Sequence, residues 1–268
     1  MEEVKAYYNN TAKSYEEQFK MLYFKIFDAI TWKYIEPYIP KGTDALVLDA
    51  GGGTGRWTIR IAQKGCRVIL MDASSEMLGI ATKRAKEKRL DHKITVKKGD
   101  IRKTDFEDET FDMILCEHAL FLFKEPTIVI KELTRVLKRK APLIISVPNR
   151  YVQLLSSLSN KPDSENVDNA LKILLGKKYL SMTKDSKVKV YSWTPDEFRA
   201  MLERNRLCIE KIVGKGITMP LRISVKQYMR KKYSENLFNK LLDFELALCE
   251  KPDALALAGH LQAIAYKS

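Results

Sequence analysis

Short apolar runs alternating with amphipathic helical patterns predict an α/β protein built on a doubly wound, largely parallel sheet. Three observations carry that expectation. Apolar runs recur five times between residues 45 and 147, most of them followed by a helical pattern. A glycine-rich loop follows the first run, and an acidic residue closes the second. Parallel strands need crossover connections, which are right-handed and cover both faces of the sheet.

The elements follow in order. Residues 1–40 form an aromatic helical segment in which Tyr7, Tyr8, Tyr15, Phe19, Leu22, Tyr23, Ile26, Phe27 and Ile30 recur at helical spacing. Pro37, Pro40 and Lys41-Gly42 end it. Residues 41–150 then read as the core. Strands are expected at Ala45–Leu48, Arg67–Met71, Ile94–Val96, Phe111–Cys116 and Leu143–Val147. Helices are expected through Trp57, Ile59 and Ile61, from about Ser74 to Lys88, and through Ile128, Ile130, Leu133, Val136 and Leu137. Residues 151–190 break the alternation with helical fragments (Val167, Leu171, Leu174, Leu175) between lysine-rich loops. In residues 191–268, Thr194, Pro195 and Glu197 make a capped helix start. A strand at Cys208–Val213, a basic helical insertion at 220–250 with Leu237, Leu241, Phe244 and Leu248 on one face, and a strand at 260–267 complete the chain.

Composition bounds the function. The chain has 268 residues, 45% of them hydrophobic, which is ample for a packed core. No apolar run nears the roughly 18 residues that span a bilayer. The acidic start Met1-Glu2-Glu3 argues against a secretory leader, so a cytoplasmic protein is expected. Lys and Arg number 47 against 34 Asp and Glu, a net charge of +13. That excess suits either an anionic partner or a solvated lysine-rich surface. The four cysteines and three histidines are scattered, indicating neither a zinc site nor disulfides.

The sharpest signal is the loop Asp49-Ala50-Gly51-Gly52-Gly53-Thr54-Gly55-Arg56 between the first strand and its helix. Glycines let a backbone turn tightly and approach a ligand closely. Arg56 stands where a dinucleotide fingerprint wants a small residue, and Gly-Lys-Ser/Thr is missing for a Walker loop. What remains is Asp-x-Gly-x-Gly-x-Gly at Asp49, Gly51, Gly53 and Gly55. Asp72 and Ala73 end the second strand, Ser74-x-x-Met77 opens the next helix, and Gly99-Asp100-Ile101 follows the third strand.

In these segments the sequence resembles the class I S-adenosylmethionine-dependent methyltransferases, closely over residues 45–150 and more loosely at 190–213 and 260–267. The resemblance implies a Rossmann-like, seven-stranded doubly wound sheet with its last strand antiparallel and helical lid insertions. It also implies S-adenosyl-L-methionine as cofactor. Gly51, Gly52, Gly53 and Gly55 would wrap the methionine part, and Asp49 would engage its amino group. Asp72 would take both ribose hydroxyls, and Asp100 with the Ile101 amide would read the adenine edge. Met77 would pack on the adenine ring or serve as helix core.

Cys116-Glu117-His118-Ala119-Leu120 resembles the loop that lines that family's reaction chamber. Cys116 lacks the neighbouring proline of pyrimidine C5-methyltransferases and reads better as a buried spacer than as a nucleophile. The Asn/Asp-Pro-Pro-aromatic signature of amino methylation is missing. His118 is either a base titrating near neutral pH or a residue without a catalytic part. Tyr15, in a segment resembling the family's cofactor lid, is a gate candidate or a core aromatic. Pro148-Asn149-Arg150 resembles the small-molecule, quinone-biosynthesis-like group, although Lys138-Arg139-Lys140 replaces its usual Pro-Gly-Gly turn. Nine basic residues against Glu210 alone lie between 204 and 232, and Arg222, Lys226 and Arg230 would share one helix face. A small-molecule acceptor, with or without an anionic group, is therefore the favoured expectation, with RNA or protein as the second.

Overall fold

The computed structural model describes residues 2–42, 44–160, 164–174, 179–181, 188–218 and 232–267. Two helices, α1 (Glu2–Tyr15) and α2 (Leu22–Lys33), precede the sheet. The core then alternates β1 (Leu46–Ala50), α3 (Arg56–Gln63), β2 (Arg67–Asp72), α4 (Ser75–Glu87), β3 (Ile94–Lys98), β4 (Met113–Cys116), α5 (Pro126–Val136) and β5 (Pro142–Pro148). After it come α6 (Arg150–Asn160), α7 (Ser164–Leu174), the hairpin β6 (Tyr179–Ser181) and β7 (Lys189–Tyr191), α8 (Pro195–Arg204), β8 (Leu207–Lys215), α9 (Glu235–Leu248) and β9 (His260–Lys267).

The seven-stranded sheet runs β3-β2-β1-β4-β5-β9-β8. β1 to β5 pair in parallel, while β9 lies antiparallel between β5 and β8. This is the Rossmann-like arrangement with the last strand reversed. Strand order changes direction between β1 and β4, so the loops leaving their carboxyl ends diverge and open a crevice. Both faces are covered, and Leu48, Ile114, Leu115 and Ile144 are fully buried, which is why these strands are continuously apolar.

Local chemistry sets several boundaries. Ser74 caps α4 by accepting the Met77 amide, and Thr194 with Glu197 forms a reciprocal capping box on α8. Two features differ from the periodicity. The short hairpin β6–β7 stands within the stretch read as helical fragments and loops. On α9, Phe244 is 57% exposed, and Glu245, at 1%, is turned inward instead. Its carboxylate accepts the Ile217 and Thr218 amides at 2.8 Å each, capping the backbone that leaves β8. Arg222, Lys226 and Arg230 lie outside the described residues. Among the described residues no helix is long and apolar enough to cross a membrane.

Candidate functional site

The crevice between the β1 and β4 loops holds a cleft of about 880 Å³, mouth included. Its floor is the backbone of Gly51, Gly52 and Gly53. Gly51 has φ +77°, and a Cβ there would lie 2.5 Å from the Ala119 Cβ, so only glycine lets the two loops meet. Gly53, also at positive φ, faces open space, leaving its peptide bare toward the cleft. Gly55 is not on the wall. Its missing side chain instead seats α3 against α4, where a Cβ would meet Ala81 at 3.2 Å.

The next wall carries Asp72, Ala73 and Met77, and beyond them lie Asp100 and Ile101. Asp72 accepts the Gly53 amide at 3.0 Å and the Ser74 amide at 2.8 Å. This single carboxylate ties the end of β2 to the glycine loop and to the start of α4. Burial raises its pKa, and the backbone bonds only partly oppose that. Asp100 is half exposed and paired with Arg102 at 2.6 Å, so part of its charge is already matched.

Two expected residues sit behind the wall. Asp49 is buried beneath the loop, where a Cβ on Gly52 would come within 2.7 Å of its carboxylate. Thr58 donates its hydroxyl to Asp49 at 2.5 Å, yet burial still pushes the acid up to about 6. The alternation of β1 directs Asp49 into the protein rather than into the cleft. Asp49 therefore lies behind the cleft wall, beneath the glycine loop. Cys116 is likewise buried off the wall, and burial raises its thiol well above the ordinary value. It is a spacer inside the sheet, with no thiolate to offer.

Glu117 and His118 form the opposite wall. His118 adopts φ +57°, which is uncommon for a side chain of its size. Its Nε2 is buried without a partner, and its ring lies 4.7 Å from that of His260 and 5.1 Å from Phe27. Burial first, then His260, Lys215 and Arg56, holds it well below the usual imidazole value. The expectation of titration near neutral pH is corrected: burial keeps this imidazole neutral.

Several contributors were not expected from the sequence. Tyr8 joins Tyr15 over the cleft. Glu16, next along the chain, accepts the Thr54 hydroxyl at 2.5 Å and pairs with Arg84, latching the N-terminal segment to the glycine loop. Lys215, read within a solvated basic run, is fully buried against Glu117. Its position at a strand end was the one available signal.

A second cavity of about 920 Å³ adjoins the cleft and shares Tyr8, Tyr15 and His118 with it. The rest of its wall includes Tyr7, Phe19, Phe24 and Phe121, with no charged side chain among the described residues.

The donor set suits an adenosyl sulfonium. Among the described residues neither Asp49 nor Asp72 has an ion-pair partner, so a buried negative field awaits a cation and hydroxyl donors. Gly53 leaves room for close backbone approach, and buried Met77 offers a thioether to a flat ring.

Comparison with known proteins agrees with this geometry. Residues 47–140 match the methyltransferase domain family. A demethylmenaquinone methyltransferase of Porphyromonas gingivalis is 29% identical over 157 residues, covering 56% of this chain and 62% of that protein. A tRNA 5-carboxymethoxyuridine methyltransferase of Escherichia coli O157:H7 is 25% identical over 244 residues, covering 89% of this chain and 87% of its own length. In fold, the chain superimposes on geranyl diphosphate C-methyltransferase from Streptomyces coelicolor A3(2), solved with S-adenosyl-L-homocysteine. The TM-score is 0.59 at 14% identity, covering 90% of this chain and 79% of that one. With its strand order and glycine loop, the chain carries a methyltransferase domain across residues 47–140, set in a Rossmann-like sheet.

Proposed function

We propose that the protein transfers a methyl group from S-adenosyl-L-methionine to a small, uncharged, ring-bearing acceptor. One observation carries this reading: two adjoining cavities, one acidic and glycine-floored, the other aromatic, meet at His118, Tyr8 and Tyr15. In this reading Asp72 accepts the ribose hydroxyls, and Met77 and Ile101 hold the adenine ring. Asp100 and the Ile101 amide suit its polar edge, and the Gly51–Gly53 backbone cradles the aminocarboxypropyl group. Asp49 adds negative field from beneath. The bound donor supplies an electrophilic methyl whose leaving group is a neutral thioether.

The chain's own work is alignment and exclusion of water, which together supply several kcal/mol of such a barrier. Tyr15 and Tyr8 cover the junction, and the Glu16 latch keeps them there. His118 lines that junction as a neutral imidazole, so its part is to shape the wall rather than to hold a proton. An anionic acceptor is disfavoured because no charged side chain lines the second cavity among the described residues, and burying an unpaired charge is costly.

The test is radiolabelled methyl transfer from purified protein into cell extract, fractionated into RNA, protein and metabolites. We expect label in the organic-extractable metabolites, insensitive to salt. Label in RNA with a steep salt dependence would favour the nucleic-acid reading. A protein that binds no S-adenosyl-L-homocysteine by calorimetry would remove the donor assignment itself.

A further inference from the structure

Two fully buried charged groups, Lys215 and Glu117, lie close to His118. Lys215 and Glu117 form an ion pair at 2.9 Å with side chains 0% and 1% exposed. Glu117 Oε2 accepts a second bond, from the Ser146 hydroxyl at 2.9 Å. Ser146 Oγ in turn accepts the backbone N–H of His118 at 3.2 Å. Three elements distant in sequence are thus chained together: the end of β8, the β4 loop and the middle of β5.

Sheet register explains how they meet. Lys215 pairs with His260, and two positions along β9 Gln262 pairs with Ser146, which puts all four side chains on one face. Phe27 of α2 covers that face, with the Lys215 ammonium 4.6 Å from its ring and His260 5.2 Å away.

A buried ion pair is poor evidence of stabilisation, because desolvation offsets the attraction and an apolar pair of similar volume often serves as well. Its value here lies in what the chain of bonds restrains. His118 sits in the left-handed region, where a residue with a Cβ stays only if its surroundings over-determine it. That conformation sets the imidazole on the wall shared by both cavities.

We infer that Lys215, Glu117 and Ser146 form a buried strut holding His118 in its left-handed conformation, which makes Lys215 and Ser146 positioning residues for methyl transfer. The inference rests on the proposed reading of His118 at the donor–acceptor junction.

The test uses the full-length protein with Lys215→Met, Lys215→Arg and Ser146→Ala. Crystal structures with S-adenosyl-L-homocysteine should show His118 leaving the left-handed region in Lys215→Met and Ser146→Ala. Calorimetric affinity for that ligand should stay within about threefold of wild type, while label transfer falls at least about tenfold. Lys215→Arg keeps the cation and should restore both the backbone and most of the transfer. An unmoved His118 with wild-type transfer in both disruptive variants overturns the inference. So does a loss of ligand affinity that matches the loss of transfer. If Lys215→Met fails to fold, Ser146→Ala decides, since it removes one link without stranding a charge. A wild-type protein that binds no ligand sinks the donor reading, and the His118 backbone in the variants still judges the strut.

Discussion

Asp49→Asn probes the buried acid beneath the glycine loop. Burial raises Asp49 from an ordinary 3.8 to about 6. At about 1.36 kcal/mol per unit, ionising it in the folded protein costs about 3 kcal/mol. The sign follows from linkage: with the folded value raised, this contribution is fully present below about 3.8 and is lost as the pH climbs to about 6. Asparagine removes the cost but weakens the bond from the Thr58 hydroxyl, now to a neutral acceptor, by about 1–2 kcal/mol. The variant should therefore be about 1–2 kcal/mol more stable than wild type near pH 7.5, with the advantage shrinking toward pH 4.5. Urea unfolding midpoints at the two pH values give the measurement, provided the slope is unchanged. A variant no more stable at pH 7.5, or an advantage that does not depend on pH, refutes the placement of a strained carboxylate there. The same field should favour a cationic ligand, so S-adenosyl-L-methionine, which carries the sulfonium, should raise the melting temperature of wild type more than that of Asp49→Asn.

Asp72→Ala deletes the acceptor of the Gly53 and Ser74 amides. Calorimetry should show S-adenosyl-L-homocysteine binding weakened more than tenfold, a loss above about 1.4 kcal/mol. Methylthioadenosine, which keeps the ribose, should lose comparable affinity; unchanged binding would contradict the assignment. Glu16→Ala frees the latch to Thr54 and Arg84. Stopped-flow release of the ligand should quicken severalfold, and an unaltered rate would deny the N-terminal segment a gating part. Lys140 holds φ +59° in the turn before β5, donating its amide to Lys267 at 3.1 Å. Lys140→Gly should gain about 0.5–1 kcal/mol in urea unfolding, since left-handed backbone costs a side chain about 1–2 kcal/mol and glycine's looser unfolded chain returns part of it.

Much of the fold was legible because its signals are local. Val47 and Leu48, Val68 and Leu70, and Leu143 to Ile145 are continuous apolar runs, as strands covered on both faces must be. Thr194 and Glu197 cap a helix through atoms three residues apart, a relation visible in the chain itself. The hairpin at 179–191 escaped notice because its strands have three residues each, too few for a period to register. Phe244, expected on the apolar face of its helix, is exposed for another reason. Helical spacing favours the apolar neighbour, but the Ile217 and Thr218 amides just past β8 hold the Glu245 carboxylate inward.

For the site, the sequence by itself determined the glycine loop and the acidic residues that follow successive strands. Both depend on what the backbone does within a few residues of a strand end. Only the tertiary structure decided which of those residues reach the cleft. Pleating turned Asp49 and Cys116 away, and crossing of loops set Gly51 against Ala119. Lys215 could be told from the other basic residues of its stretch only once β9 entered the sheet between β5 and β8 and carried it to Glu117, 98 residues away in the chain. A charge reveals its partner through space, and strand order, not sequence distance, fixes that space.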